Sequence, residues 1–195
     1  MQHPYTTRQK RYVVCIEGPH GMGKTSCVKE LRARGHACRD EGFLDMPAND
    51  LHPQGLVTEL MWSQRLFTEA LEQRERVAFV DRSPFSAVMY TSCDTETRAL
   101  IHRVLQAEVR ELKSVDIIFI TVCLYTRSRS PLWDRIQARL RANPEREKYN
   151  EGDKNHMHAM CERYDSAEWD VRVEVAETVP ETVNAIEAAI QPLIK

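Results

Sequence analysis

No two cysteines in this sequence stand at CxxC spacing, and no apolar run approaches the roughly 20 residues that span a bilayer. The six cysteines (15, 27, 38, 93, 123 and 161) are scattered, most of them inside apolar stretches. That usage predicts reduced thiols in an intracellular, cytoplasmic protein rather than a disulfide scaffold. Charge of one sign is not in excess either. Lys+Arg is 27 against Asp+Glu 29, a net charge of −2. Such a chain is poorly suited to general nucleic-acid or membrane-surface binding. Internal repeats and low-complexity tracts are absent, and no apolar core follows Met1-Gln2-His3-Pro4, so no secretory signal is expected. What remains is an ordinary globular chain of 195 residues, 42% hydrophobic and 29% charged, long enough to bury one real core.

Residues 1–11 are polar and basic and read as a flexible N-terminal arm. Residues 12–195 read as a single domain. Tyr12-Val13-Val14-Cys15-Ile16 is short, apolar and β-rich, which predicts a buried strand. Further strands are expected at 36–40, 77–80, 115–124 and 171–175. Helical stripes lie between them. Val57, Leu60, Met61, Phe67 and Leu71 form one over residues 55–73. Leu100, Ile101, Val104, Leu105, Val109 and Leu112 form another over 95–113. Val183, Ile186, Ile190 and Leu193 form a third over 181–194. Apolar strands alternating with amphipathic helices predict an α/β fold, a five-stranded parallel sheet covered by helices on both faces. Ligands in such folds sit at the carboxyl ends of the strands.

Gly18-Pro19-His20-Gly21-Met22-Gly23-Lys24-Thr25 matches G-x-x-x-x-G-K-[ST] between the first strand and the first helix. Its glycines allow the backbone N–H groups to turn inward around phosphate oxygens, and the helix N-terminus adds about half a positive charge. Lys24 is placed to reach the β- and γ-phosphates of ATP, and Thr25 to ligate Mg²⁺. Neither an N-K-x-D motif nor a D-x-x-G after a strand is present, which argues against a GTPase switch. Asp81 ends a buried strand, where a carboxylate is costly without a partner. Arg135 and Arg139 are four residues apart and share a helix face, in a segment, 127–149, that also carries Arg141 and Arg146. Gln64 interrupts the 55–73 stripe. A buried amide needs a partner and offers both donor and acceptor, which suits the edge of a base.

The phosphate loop closely resembles that of herpesvirus thymidine kinases. Asp81-Arg82-Ser83-Pro84 resembles the D/E-R-S/H motif of the wider deoxynucleoside kinase family, and Asp134-Arg135-Ile136-Gln137-Ala138-Arg139-Leu140-Arg141 resembles that family's arginine-rich lid. The resemblance covers about residues 12–150. It implies a P-loop kinase fold that phosphorylates the 5′-hydroxyl of a deoxynucleoside with ATP and Mg²⁺ in nucleotide salvage, in an assembly that pairs as a homodimer. Arg135, Arg139 and Arg141 are then the clamp on the transferring phosphoryl group, Asp81 a carboxylate near Mg²⁺, and Arg82 a neighbour of the 5′-oxygen. The family's general base is a Glu after the second strand. Glu41 is the candidate, with Asp40 and Asp45 as rivals, although Gly42 and Met46 replace the family's Pro and Trp. Gln64 takes the place of a base-reading Gln, and Phe67 is expected to stack on the base, with Trp62 and Tyr90 as alternative walls. Deoxycytidine-preferring relatives carry an Arg and an Asp where this chain has Leu71 and Ala87, which favours thymidine while leaving deoxycytidine open. Glu145 or Glu147 is expected at the sugar 3′-hydroxyl. Pro53 stands near the place of the family's sugar-binding Tyr. Two other readings compete: a thymidylate kinase on the same fold, and a non-catalytic nucleotide-binding regulator. His156 and His158 diverge at i,i+2 on a helix and are not expected to bind metal.

Overall fold

The computed structural model describes residues 9–43, 46 and 55–195. Asp45, Pro53 and most of the N-terminal arm lie outside them. Five parallel strands form one sheet in the order β2-β3-β1-β4-β5. They are β1 (Arg11–Glu17), β2 (Ala37–Arg39), β3 (Val77–Asp81), β4 (Ile117–Tyr125) and β5 (Val171–Glu174). The helices are α1 (Lys24–Ala33), α2 (Leu56–Glu72), α3 (Ser86–Tyr90), α4 (Thr95–Ser114), α5 (Ser130–Ala142), α6 (Lys154–Ser166) and α7 (Val179–Ile190).

The period-2 alternation of the central strand divides the core. Tyr12, Val14 and Ile16 join Leu31 of α1 and Ile186 of α7 on one face. Val13 and Cys15 join Leu66 of α2 and Leu105 of α4 on the other. A strand buried on both faces reads as a continuous apolar run, which is how β1 and β4 appear in sequence. All five expected strands form. β4 starts two residues later than its apolar run because Val115 caps α4 and Asp116 turns the chain at φ 65°. The last helix stops at Ile190, and Pro192 sits in a 3-10 turn instead. The short α3 carries no strong apolar stripe, whereas α6 buries Met157, Met160, Cys161 and Tyr164 along one face. No helix among the described residues is long and apolar enough to cross a membrane.

The α2 stripe is corrected by the structure. Its buried residues are Thr58, Glu59, Trp62, Ser63, Leu66, Phe67 and Ala70. Val57, Leu60, Met61 and Leu71 are exposed. The true inward face lies more than a quarter-turn around the helix from the one that the apolar residues suggested, with only Phe67 common to both.

Candidate active site

The loop between β1 and α1 is shaped by glycines in regions closed to other residues. Gly18 has φ 141°, and a Cβ there would lie 2.7 Å from the Leu124 carbonyl oxygen of β4. Gly21 has φ 80°, and a Cβ there would lie 2.8 Å from Leu132 and 3.0 Å from Ile136, both on α5. The loop is therefore pressed between the sheet and α5. Lys24 Nζ donates to the carbonyls of Gly18 and Pro19 at 2.6 and 3.0 Å, which holds its ammonium inside the loop. His20 and Met22 are buried in the same loop. His20 stays neutral, because burial and then Arg82, Lys24, Arg139 and Arg146 push its pKa well below the usual value.

Parallel register sets Ile16 beside Asp81, so the end of β3 comes to the foot of the phosphate loop. Thr25 Oγ1 donates to Asp81 Oδ2 at 2.6 Å. The other carboxylate oxygen, Oδ1, is buried without a hydrogen-bond partner among the described residues. Burial raises the Asp81 pKa, Lys24 opposes that rise, and Glu41 adds to it. A hydroxyl and a half-satisfied carboxylate at a helix N-terminus are hard oxygen donors that fit Mg²⁺. Thr25 and Asp81 are the residues that would hold it.

Glu41 follows β2 and forms an ion pair with Arg82, Oε1 to Nε, at 2.5 Å. Burial pushes the Glu41 carboxyl up, but Arg82, Lys24 and Arg146 together carry it below its ordinary value, so it is ionised at neutral pH. Its rival Asp40 is exposed and paired with Arg32 on the surface. Arg82 is buried, stacks on the Tyr90 ring at 4.3 Å and has φ 81°. A non-glycine residue in that region costs about 1–3 kcal/mol, which surrounding structure must offset. The offset comes from Glu17, fully buried at the end of β1. Its Oε1 accepts from the Ser83 N–H and from the hydroxyls of Ser83 and Ser86 at 2.6–2.8 Å, and its Oε2 accepts from Tyr164 of α6 at 2.8 Å. These bonds fix the residues that follow the Arg82 turn.

Glu41 and Arg82 open onto a narrow pocket with about 20 Å³ of free volume, walled by Phe43, Trp62, Tyr90 and Tyr149. The side of the cavity toward α5 carries a buried carboxylate, Glu151. It accepts from Arg139 at 2.5 Å and from Arg146 at 2.8 Å, and lies 3.2 Å from His20 Nδ1.

The arginines expected in a clamp therefore separate. Arg139 is half-buried and tied to Glu151. Arg135 and Arg141 are exposed, with no ion pair among the described residues. Arg146, given no role in advance, lines the cavity. Glu145 and Glu147 are both exposed. Gln64 is exposed rather than buried, and Leu71 is 51% exposed, so neither borders the cavity. Phe67 is buried against Phe119 rather than in the cavity wall. Ala87 is buried, packed with the α2 and α4 core. The α2 residues that do line the cavity are Glu59 and Trp62. Glu17, Glu59 and Glu151 had all been passed over. For Glu17 a signal existed: an acid closing an apolar strand is costly without a partner, the argument applied only to Asp81.

A family model described as an AAA domain matches residues 13–165. Among solved structures, a gluconokinase from Sinorhizobium meliloti 1021 is 18% identical with a TM-score of 0.60, over 96% of this chain and 95% of that one. A deoxyadenosine kinase from M. mycoides, solved with dCMP and dCDP, is 13% identical with a TM-score of 0.58, over 92% and 99%. Polyphosphate kinase 2 from Arthrobacter aurescens TC1 is 15% identical with a TM-score of 0.56, over 96% and 68%. A search of curated protein sequences found no match. None of the matches cited is a viral thymidine kinase, and that resemblance rests on the motifs alone. With a phosphate loop between β1 and α1 of a parallel sheet, and a match that runs from β1 into α6, the chain belongs to the AAA domain family and is built on the P-loop kinase fold.

Proposed function

We propose that the protein transfers the γ-phosphoryl group of ATP to the 5′-hydroxyl of a deoxynucleoside. The observation that carries this reading is the ionised Glu41 paired to Arg82 at 2.5 Å, facing an aromatic-walled cavity beside the phosphate loop. A hydroxyl acceptor needs a base within hydrogen-bond reach, and a flat base needs flat walls. Trp62 and Phe43 meet edge to face at 6.0 Å, and Tyr149 lies across from them in the same lining. The likeness to the deoxyadenosine kinase supports the same substrate class.

Phosphoryl transfer depends on position and charge more than on covalent help. Lys24 and the loop N–H groups hold the donor phosphates. Glu41 accepts the proton of the attacking hydroxyl. Arg82, fixed by Glu17 and Tyr90, keeps Glu41 ionised and offers its remaining N–H groups to the transferring oxygens. Arg139, and Arg146 beside it, carry positive charge to the far side. Thr25 and Asp81 would hold Mg²⁺, which would neutralise charge on the donor phosphates. The thymidine preference rested on Leu71 and Ala87, with Gln64 as the base reader; none of the three lines the cavity, so the proposal names no base on their account.

The test is a coupled ATP assay with four deoxynucleosides, thymidylate and gluconate. Turnover of at least one deoxynucleoside is expected, abolished in a folded Lys24→Met variant. Turnover of thymidylate or gluconate alone, or none in a protein that binds ATP, overturns the proposal.

A further inference from the structure

Glu59 is an acid of the cavity lining that the phosphoryl-transfer chemistry does not use and that, unlike Glu151, forms no ion pair among the described residues. It lies on α2, 2% exposed, one turn before Trp62, with which it shares the lining. No hydrogen bond joins its carboxyl to a described residue, while its backbone N–H donates to the Gly55 carbonyl and its own carbonyl accepts from Ser63. The Trp62 Nε1–H is likewise buried and unpartnered among the described residues. A buried donor without a partner, as at Trp62, is rare in a native interior, and beside a carboxyl that lines the same pocket it indicates a ligand that bonds to both.

We propose that Glu59 is the side chain that hydrogen-bonds the edge of the substrate's base and so determines which bases are accepted. This inference rests on the deoxynucleoside reading above.

The groups that face Glu59 come from several elements: Glu41 after β2, Arg82 after β3, Glu17 at the end of β1, Ser86 and Tyr90 of α3, His20 of the phosphate loop, and Arg146, Tyr149 and Glu151 beyond α5. Burial dominates and pushes the Glu59 carboxyl up to about 8. Arg82 opposes this, while Glu41 and Glu17 reinforce it. At neutral pH Glu59 is therefore a neutral acid with one O–H donor and one carbonyl acceptor side by side. That pair matches an edge carrying an adjacent acceptor and donor, such as the ring nitrogen and amino group of adenine or cytosine. Once ionised, Glu59 offers acceptors only, and the ring nitrogen meets a lone pair instead of a proton. Glu59→Gln keeps the donor–acceptor pair at every pH, whereas Glu59→Leu removes it.

The experiment measures KM and kcat for deoxycytidine and deoxyadenosine from about pH 7 to about pH 9 in wild type, Glu59→Gln and Glu59→Leu. Wild-type KM is expected to rise about tenfold at one unit above the pKa, as the neutral fraction falls to about a tenth. Glu59→Gln should hold KM flat over the same range, with kcat at pH 7 little changed. Glu59→Leu should raise KM at least tenfold at pH 7, the loss of about 1.4 kcal/mol of binding. A Glu59→Gln enzyme that keeps the wild-type pH dependence, or a Glu59→Leu enzyme with wild-type KM, overturns the inference while leaving the kinase reading intact. If wild type phosphorylates no nucleoside, the kinase reading falls, and this inference with it.

Discussion

The Tyr164 hydroxyl of α6 donates to the Glu17 carboxylate at 2.8 Å, joining the end of β1 to a helix 147 residues away. Both groups are buried, and Glu17 takes three further hydrogen bonds from Ser83 and Ser86. The arrangement ties the phosphate-loop strand to the Asp81-Arg82 turn and to α6 at once. Tyr164→Phe should cost about 1.5–3 kcal/mol, the range for a hydrogen bond to a charged group. Glu17→Gln should cost more, because an amide N–H₂ then faces hydroxyl and N–H donors. Denaturant unfolding at constant m-value reads both. If both variants unfold at the wild-type midpoint, Glu17 does not hold the turn.

The two described carboxylates directly after β2 differ in placement. Glu41 faces Arg82 and the cavity, and Asp40 faces Arg32 and solvent. Glu41→Gln should lower kcat by roughly 10²–10⁴-fold, the usual contribution of a general base, with KM for the nucleoside little altered. Asp40→Asn should stay within about twofold of wild type, since exposed pairs contribute little. A crippled Asp40→Asn beside an active Glu41→Gln would reverse the assignment.

How far the sequence could be read depended on the kind of signal. The strands were legible because a parallel strand buried on both faces is apolar throughout, as in Tyr12–Ile16. The phosphate loop was legible because its glycines answer local backbone demands, at Gly18 and Gly21, that only glycine meets. Glu41 and Arg82 follow strands, so strand order alone brought them to one end of the sheet. The face of α2 was not legible. Val57, Leu60, Met61 and Leu71 are exposed apolar residues, and the buried side of the same helix carries Thr58, Glu59 and Ser63. A periodicity argument that assumes apolar means inward turns such a helix the wrong way, and it took Gln64 and Leu71 with it. Glu151 was illegible for another reason. Its partners join the phosphate loop, through His20, to Arg139 and Arg146 of the 127–149 segment, an assembly that only the folded chain makes.

The rotation of α2 makes a direct kinetic prediction. Gln64→Ala and Leu71→Ala change exposed side chains remote from the cavity lining. Both should keep kcat/KM within about twofold of wild type for every nucleoside. Trp62→Ala removes a cavity wall and its edge-to-face contact with Phe43. It should lower kcat/KM by at least tenfold, chiefly through KM, because a lost aromatic stacking partner is worth about 1–3 kcal/mol per base. A large loss in Gln64→Ala with none in a folded Trp62→Ala would restore the original orientation of the helix.

Glu59 also links stability to pH in a definite direction. In the folded chain it keeps its proton up to about pH 8, because burial disfavours the charged form. In the unfolded chain it loses that proton near the ordinary value of about 4.3. Between those limits the folded state binds more protons than the unfolded state, so raising the pH destabilises the fold through this group. The stability is fully present below the unfolded value, is lost progressively as pH rises toward 8, and changes no further above that. Glu59→Gln carries no titrating proton and lacks this dependence. The difference in Tm between Glu59→Gln and wild type should therefore grow in favour of the variant between about pH 5 and about pH 8, then level off. Other titrating groups, His20 and the surface carboxylates among them, contribute to both proteins and cancel in the difference. A difference that stays constant across this range would mean that Glu59 is ionised in the folded protein, and the cavity would then present an acceptor where a neutral acid is argued here.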